Sequence, residues 1–221
     1  MSHRLFGFFS GFPSHHFPPE IVKRLDRELE SRGTLVFVSA WPADYERNDA
    51  DVAGMNCMFT ECNIPFAQYR VIDNRTEAAL ARQLLCEASC VFLMGGYPRL
   101  QVQLIREKGL DGVIRSTGAP VLGVSAGAIN MARRSLDTKE SVVPYDGLGL
   151  ADITVKPHFM LDNRQVLTTL QQISAELPIC AMEDDSAIFV SGGSITYSGQ
   201  IYWVDKGNIC PLSQSGLLTR L

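Results

Sequence analysis

Apolar positions in this chain fall into two alternating patterns, short continuous runs and stripes at three- and four-residue spacing, which predict strands alternating with helices. The first run predicts a strand at about Arg4 to Phe9. A helix follows from Pro19 to Arg32, with Ile21, Val22, Leu25 and Leu29 on one stripe, a proline in its first turn and a stop at Gly33. Thr34 to Ser39 is the next strand, followed by a polar loop around Trp41 to Asn48, a helix over Asp51 to Cys62 and a strand over Gln68 to Ile72. Thr76 to Glu87 reads as helix and Cys90 to Met94 as a fourth strand. Pro98 to Thr117 holds one or two helices broken near Gly109, and Pro120 to Val124 is a fifth strand.

Strand and helix in alternation define a mostly parallel sheet covered on both faces, so the fold class is α/β, a three-layer α/β/α arrangement with right-handed crossovers. Further strands are expected at Asp152 to Lys156, Leu177 to Ala181 and Ala187 to Val190. From Ser194 the runs shorten: Ile195 to Tyr197 and Ile201 to Val204, separated by Ser198-Gly199-Gln200, predict a hairpin added antiparallel at the sheet edge. With 221 residues, 46% of them hydrophobic, the chain is long enough for one sizeable core, and residues 1–221 are expected to form a single domain.

Chemistry enters at Gly123-Val124-Ser125-Ala126-Gly127, directly after the fifth strand. A G-x-S-x-G segment turns a strand sharply into a helix and leaves the serine hydroxyl exposed at the strand's carboxyl end. The same residues also fit a plain glycine-rich turn with a capping serine, so Ser125 needs partners. A serine hydroxyl requires a base, usually histidine. Of four histidines, His3, His15 and His16 lie near the amino terminus and His158 stands alone in the second half, in Val155-Lys156-Pro157-His158-Phe159. Pro157 ends the preceding strand and places His158 at a strand tip, where sites form in such sheets.

No histidine follows His158, so an order of serine, acid, histidine would leave only Asp137, Glu140, Asp146 or Asp152 as the acid, in too short a stretch. The order serine, histidine, acid points downstream to Met182-Glu183-Asp184-Asp185-Ser186, a turn between two apolar runs that can bring one carboxylate to the imidazole. Gly95-Gly96, after the fourth strand, and the Ala126 N–H supply candidate donors for an oxyanion.

Other features narrow the picture by exclusion. A net charge of -4 carries no basic footprint for nucleic acid. The apolar Leu5-Phe6-Gly7-Phe8-Phe9 is too short for a signal-peptide core, and no stretch reaches the ~20 apolar residues of a membrane helix, so a cytoplasmic protein is expected. Six cysteines without C-x-x-C spacing read as small buried hydrophobes, and no metal site is expected.

Gly95-Gly96 after a strand, Gly123-Val124-Ser125-Ala126-Gly127-Ala128, Pro157-His158-Phe159 and Asp184-Asp185-Ser186-Ala187-Ile188, in this order and spacing, resemble the dipeptidase E and cyanophycinase family. These are serine peptidases on a class I glutamine-amidotransferase-like fold. The resemblance implies Ser125 as nucleophile, His158 as base, and Gly96 with the Ala126 N–H as oxyanion hole. It implies Asp184 as the acid, with Glu183 and then Glu140 as alternatives. Two departures concern substrate: Tyr97-Pro98-Arg99 stands where the family has Asn after its glycines, and the segment after His158 is short. Arg164 is its one basic side chain able to meet a substrate carboxylate, with Arg99 a second possibility. The implied activity is hydrolysis of dipeptides or short peptides, including those with N-terminal Asp, through an acyl-enzyme. It needs no cofactor and takes a small peptide as partner, without nucleic acid or membrane, in a monomer or homodimer. An esterase or amidase on the same site and a non-catalytic binding protein of the same fold remain as alternatives.

Overall fold

The computed structural model describes residues 4–137 and 143–214. Its first half alternates strand and helix: β1 (Leu5–Phe9), α1 (Pro19–Glu28), β2 (Thr34–Ala40), α2 (Tyr45–Glu61), β3 (Gln68–Ile72), α3 (Ala78–Glu87), β4 (Cys90–Gly96), α4 (Pro98–Glu107), α5 (Asp111–Ser116), β5 (Val121–Val124) and α6 (Ala126–Met131). Short strands β6 (Arg134–Ser135), β7 (Tyr145–Asp146) and β8 (Val155–Lys156) lead to α7 (Arg164–Ile173). The chain then runs through β9 (Ile179–Met182), β10 (Ala187–Ser191), β11 (Ser194–Ser198), β12 (Ile201–Asp205) and β13 (Asn208–Pro211).

Seven strands form the main sheet in the order β11-β10-β1-β5-β4-β2-β3. The five from β1 to β3 are mutually parallel, and β10 and β11 add antiparallel at one edge. Alternate residues of each strand enter opposite layers: Leu35 and Phe37 of β2 pack with Ile21, Leu25 and Phe59 of α1 and α2, while Val36 and Val38 pack with Leu85, Ile105 and Ile114 of α3 to α5. Burial on both faces explains why the central strands read as unbroken apolar runs.

A second sheet, β13-β12-β9-β8, lies beside the first. It too alternates. Cys180, Met182 and Ile201 join the core of the main sheet, whereas Ile179, Ala181 and Val204 pack with Phe159 and with Leu170 of α7. β6 and β7 form a separate antiparallel pair.

The mixed α/β class expected from the sequence is the one observed, with several corrections of detail. Ile201–Asp205 does not pair with β11; it crosses to the second sheet and pairs with β9 and β13. The actual hairpins are β10–β11 and β12–β13. The first turns at Gly192-Gly193 with φ of 57° and 78°, the left-handed pair a type I′ turn requires. Helix α1 stops at Glu28 rather than Arg32, whose guanidinium folds back onto the Leu29 carbonyl (2.9 Å) and the Asp26 carboxylate (2.7 Å). Helix α2 begins six residues before Asp51, at Tyr45, because Asp44 caps it by accepting the Arg47 N–H. The strand expected over Asp152 to Lys156 is confined to Val155–Lys156.

Candidate active site

β5 delivers Ser125 to the carboxyl edge of the main sheet. The elbow is tight because nothing larger than hydrogen fits its flanks: a Cβ on Gly123 would lie 2.7 Å from the Gly127 carbonyl carbon, and one on Gly127 would run into the Leu93 carbonyl. Ser125 itself holds φ 50° and ψ −107°, a strained conformation for a residue with a side chain. Its N–H donates to the Phe9 carbonyl (3.0 Å) and its carbonyl accepts from Ile129 (3.0 Å), which ties the elbow to β1 and α6.

His158 follows β8, held at φ 53°. Its Nε2 lies 2.8 Å from the Ser125 Oγ, and its Nδ1 lies 2.7 Å from the Asp184 Oδ1. Asp184 stands in the turn between β9 and β10, so the hydroxyl, imidazole and carboxylate form one hydrogen-bonded line. His158 and Asp184 are partly open to solvent, with side-chain exposures of 41% and 37%. Of the three acids considered, the structure brings Asp184 to the imidazole. Glu183 lines the adjoining cleft instead, and Glu140 lies outside the described residues.

Two residues not singled out from sequence support this line. The buried Ser10, just past β1, accepts the His158 N–H with its hydroxyl (2.8 Å). The same hydroxyl lies 3.0 Å from the Met182 carbonyl and 3.3 Å from the Asp184 Oδ1, and can donate its one proton to either. Gly11 sits so close that a Cβ there would stand 2.5 Å from the His158 Cε1 and 2.6 Å from the Asp184 Oδ1. Backbone bonds from Ser10 N–H to the Ser186 carbonyl (3.1 Å) and from Asp185 N–H to the Gly11 carbonyl (2.8 Å) lock this loop to the acidic turn. The available signal was positional: small residues directly after a central parallel strand, where ligand crevices open.

Gly95 and Gly96 end β4 beside the elbow, and a Cβ on Gly95 would be 3.6 Å from the Ser125 Cβ. Ala126 is the first residue of α6, where helix N–H groups lack intrahelical acceptors. A buried polar network backs this edge. Gln101 donates to the Val38 and Met94 carbonyls (3.0 and 3.1 Å), and Asn130 donates to Gln101 Oε1 (3.0 Å) and to the Pro98 carbonyl (2.8 Å). The Tyr145 hydroxyl donates to Asn130 Oδ1 (2.7 Å), and burial holds that phenol well above its ordinary range.

A cleft of about 730 Å³ opens at His158, lined by Phe159, Met160, Leu161, Asp162, Glu183 and Tyr202. Arg164 does not line it; it is exposed in the first turn of α7. Arg99 is stacked 3.8 Å over the Tyr145 ring. Among the described residues no group of three or more His, Cys, Asp or Glu side chains is placed to hold a metal ion, and no helix is long and apolar enough to cross a membrane. All six thiols are free, but only Cys90 and Cys180 are buried; Cys57 and Cys86 lie exposed on α2 and α3, which corrects the expectation of six buried thiols. Burial pushes the Cys180 thiol up to about 12.

A mixed α/β sheet with a serine elbow facing a histidine and an aspartate places this chain in a class shared by many hydrolytic enzymes. The sequence matches peptidase family S51 over residues 20–198, and the chain belongs to that family. In structure it is similar to a peptidase from an acI-B1 Actinobacterium (TM-score 0.72, 14% identity, covering 96% of this chain and 94% of that one). It is also similar to a putative peptidase E protein from Listeria monocytogenes EGD-e (TM-score 0.65, 20% identity, 89% and 98% covered). Among curated proteins it is 34% identical over 119 residues to the pyridoxal 5'-phosphate synthase subunit PdxT of Deinococcus radiodurans. That match takes in 52% of this chain and spans 58% of the length of that protein.

Proposed function

We propose that this peptidase is a serine enzyme that hydrolyses dipeptides or short peptides through an acyl-enzyme on Ser125. The observation that carries the reading is the unbroken line from the Ser125 Oγ through both nitrogens of His158 to Asp184, at 2.8 and 2.7 Å. His158 Nε2 takes the hydroxyl proton as Oγ attacks the scissile carbonyl, and Asp184 holds the opposite N–H and stabilises the imidazolium. The negative oxygen of the tetrahedral intermediate is held by the Gly96 and Ala126 N–H groups. The intermediate collapses as His158 passes its proton to the leaving amine, and water, deprotonated by the same nitrogen, then releases the acyl group as a carboxylate. No cofactor takes part.

Recognition of an N-terminal aspartate would need a cation beside the acyl residue. Arg164, exposed at the start of α7, and Arg99, stacked over the Tyr145 ring, are the candidates for it. The substrate is a free small peptide, acted on in the cytoplasm by a monomer or homodimer.

A fluorophosphonate probe combined with a dipeptide panel tests the proposal. Ser125 should be the labelled residue, and Ser125→Ala should abolish both labelling and dipeptide turnover. Turnover of small esters or amides without any peptide would move the assignment to an esterase or amidase. Full activity in Ser125→Ala would remove Ser125 from the chemistry, and neither labelling nor turnover in the wild type would replace the proposal with a binding role.

A further inference from the structure

Three successive residues at the end of β1, Phe9, Ser10 and Gly11, each hold a different part of the hydrogen-bonded line. The Phe9 carbonyl accepts the Ser125 N–H (3.0 Å), the Ser10 hydroxyl accepts the His158 N–H (2.8 Å), and the Gly11 carbonyl accepts the N–H of Asp185 (2.8 Å), the residue after Asp184. Phe9 and Gly11 use the main chain, which every residue has. Ser10 uses its side chain, so the hold on His158 depends on this residue type.

Ser10 is fully buried, and its hydroxyl closes a circuit around His158. The His158 N–H ends on the Ser10 Oγ, the Phe159 N–H ends on the Met182 carbonyl (2.9 Å), and that carbonyl lies 3.0 Å from the Oγ. Both peptide groups flanking the His158 Cα are thereby fixed, at a residue held at φ 53°. A left-handed conformation is unfavourable for a residue with a side chain and persists only where its surroundings over-determine it. Backbone angles set where the Cβ points, and from this one the imidazole reaches Ser125 Oγ at 2.8 Å on one side and Asp184 Oδ1 at 2.7 Å on the other. The Ser10 Oγ is nearer the Met182 carbonyl than Asp184 Oδ1 (3.0 against 3.3 Å), which favours giving its one proton to the carbonyl and leaves the carboxylate oxygen to the imidazole.

We infer that Ser10 is a positioning residue, which touches neither substrate nor the reacting atoms and acts by holding His158 in the backbone conformation that lets its ring bridge Ser125 and Asp184. The inference rests on the reading of Ser125 and His158 given above and adds the group that sets their distance. Ser10→Ala nearly preserves volume but removes the acceptor of the His158 N–H, so the ring is free to shift. A displacement near 1 Å costs about 10²-fold. Substrate does not meet Ser10, so the loss falls on kcat and spares KM.

The experiment compares Ser10→Ala with Ser174→Ala. Ser174, just past α7, is equally buried, accepts the Gly207 N–H (2.9 Å) and donates to the Gln171 carbonyl (2.8 Å), the same kinds of bond made with partners outside the line. Both variants should lower the urea midpoint. Only Ser10→Ala should lower kcat on one dipeptide, by about 10²-fold with KM unchanged, and slow fluorophosphonate labelling of Ser125 by a similar factor. Ser10→Cys, close in size but a weak acceptor, should also lower kcat and spare KM. Wild-type kcat in Ser10→Ala, an equal loss of kcat in Ser174→Ala, or a loss confined to KM overturns the positioning role and leaves the serine mechanism standing. Should Ser10→Ala not fold, Ser10→Cys carries the test: wild-type kcat in it, or failure of both to fold, overturns the role in the same way. Absence of both labelling and turnover in the wild type overturns the serine reading and the role of Ser10 with it.

Discussion

At the scale of single residues the site depends on fixed distances, and two substitutions separate its parts. On the mechanism proposed above, Asp184→Asn preserves shape but removes the charge assigned to orienting the imidazole, and should lower kcat by about 10⁴-fold. Glu183→Gln, in the same turn but facing the cleft, should cost less than about tenfold by the same comparison. Steady-state kinetics on one dipeptide distinguishes them, and the reverse ranking would transfer the acid's role to Glu183. Gly11→Ala tests the floor beneath the pair. Its methyl would occupy space within 2.6 Å of both the imidazole and the carboxylate, so one of them must move. A displacement near 1 Å costs about 10²-fold, and the loss should appear in kcat with KM nearly unchanged and with an altered pH profile. An unchanged profile would reduce Gly11 to a loop residue. The meeting of Ser125 with His158 was legible because Ser125 has a local signature and His158 had no rival downstream. Ser10 and Gly11 were not legible, because their role comes from contacts across the chain, Ser10 meeting His158 at a separation of 148 positions and Asp184 at 174.

At the scale of elements, the geometry of the β4 and β5 ends is underpinned by the buried Gln101, Asn130 and Tyr145 network. Asn130→Leu keeps the volume but removes the acceptor of the Tyr145 O–H and the donor to Gln101 Oε1. Each buried orphan costs about 1–3 kcal/mol, so the variant should lose at least that much in a urea titration. A change below about 0.5 kcal/mol would mean the network relaxes without strain. Element boundaries show where the sequence was readable. The strands β2, β4 and β5 stood out because both faces are buried and the apolar run is continuous. The start of α2 was missed because its capping Asp44 lies in a polar stretch with no apolar stripe, and its first turn is exposed. The pairing of β12 was missed for a different reason: alternation along Ile201 to Val204 specifies a strand but not its neighbour, and the choice of β9 over β11 is made by the Gly192-Gly193 turn and by packing across two sheets.

At the scale of the whole molecule, the three hydrogen-bonded groups come from two sheets. Ser125 belongs to the main sheet, His158 follows β8 of the second, and Asp184 lies in the turn that carries the chain from β9 back to β10 of the first. Their register therefore requires the sheets to behave as one body. The packing favours this, since Cys180, Met182 and Ile201 of the second sheet enter the same core as Phe8, Val91 and Val121 of the first. The chain has two tryptophans, Trp41 beside Gly96 and Trp203 on β12, one reporter for each sheet. In single-tryptophan variants, Trp41→Phe and Trp203→Phe, the two fluorescence transitions in urea should coincide with each other and with the far-ultraviolet circular dichroism transition, as expected of a cooperative unit. Fluorophosphonate labelling should be lost over the same range. If Trp203 and labelling were instead lost at lower urea than Trp41, the second sheet would open alone, taking His158 and Asp184 from an elbow that remains folded. Coupling through the shared core makes the single transition the expected outcome.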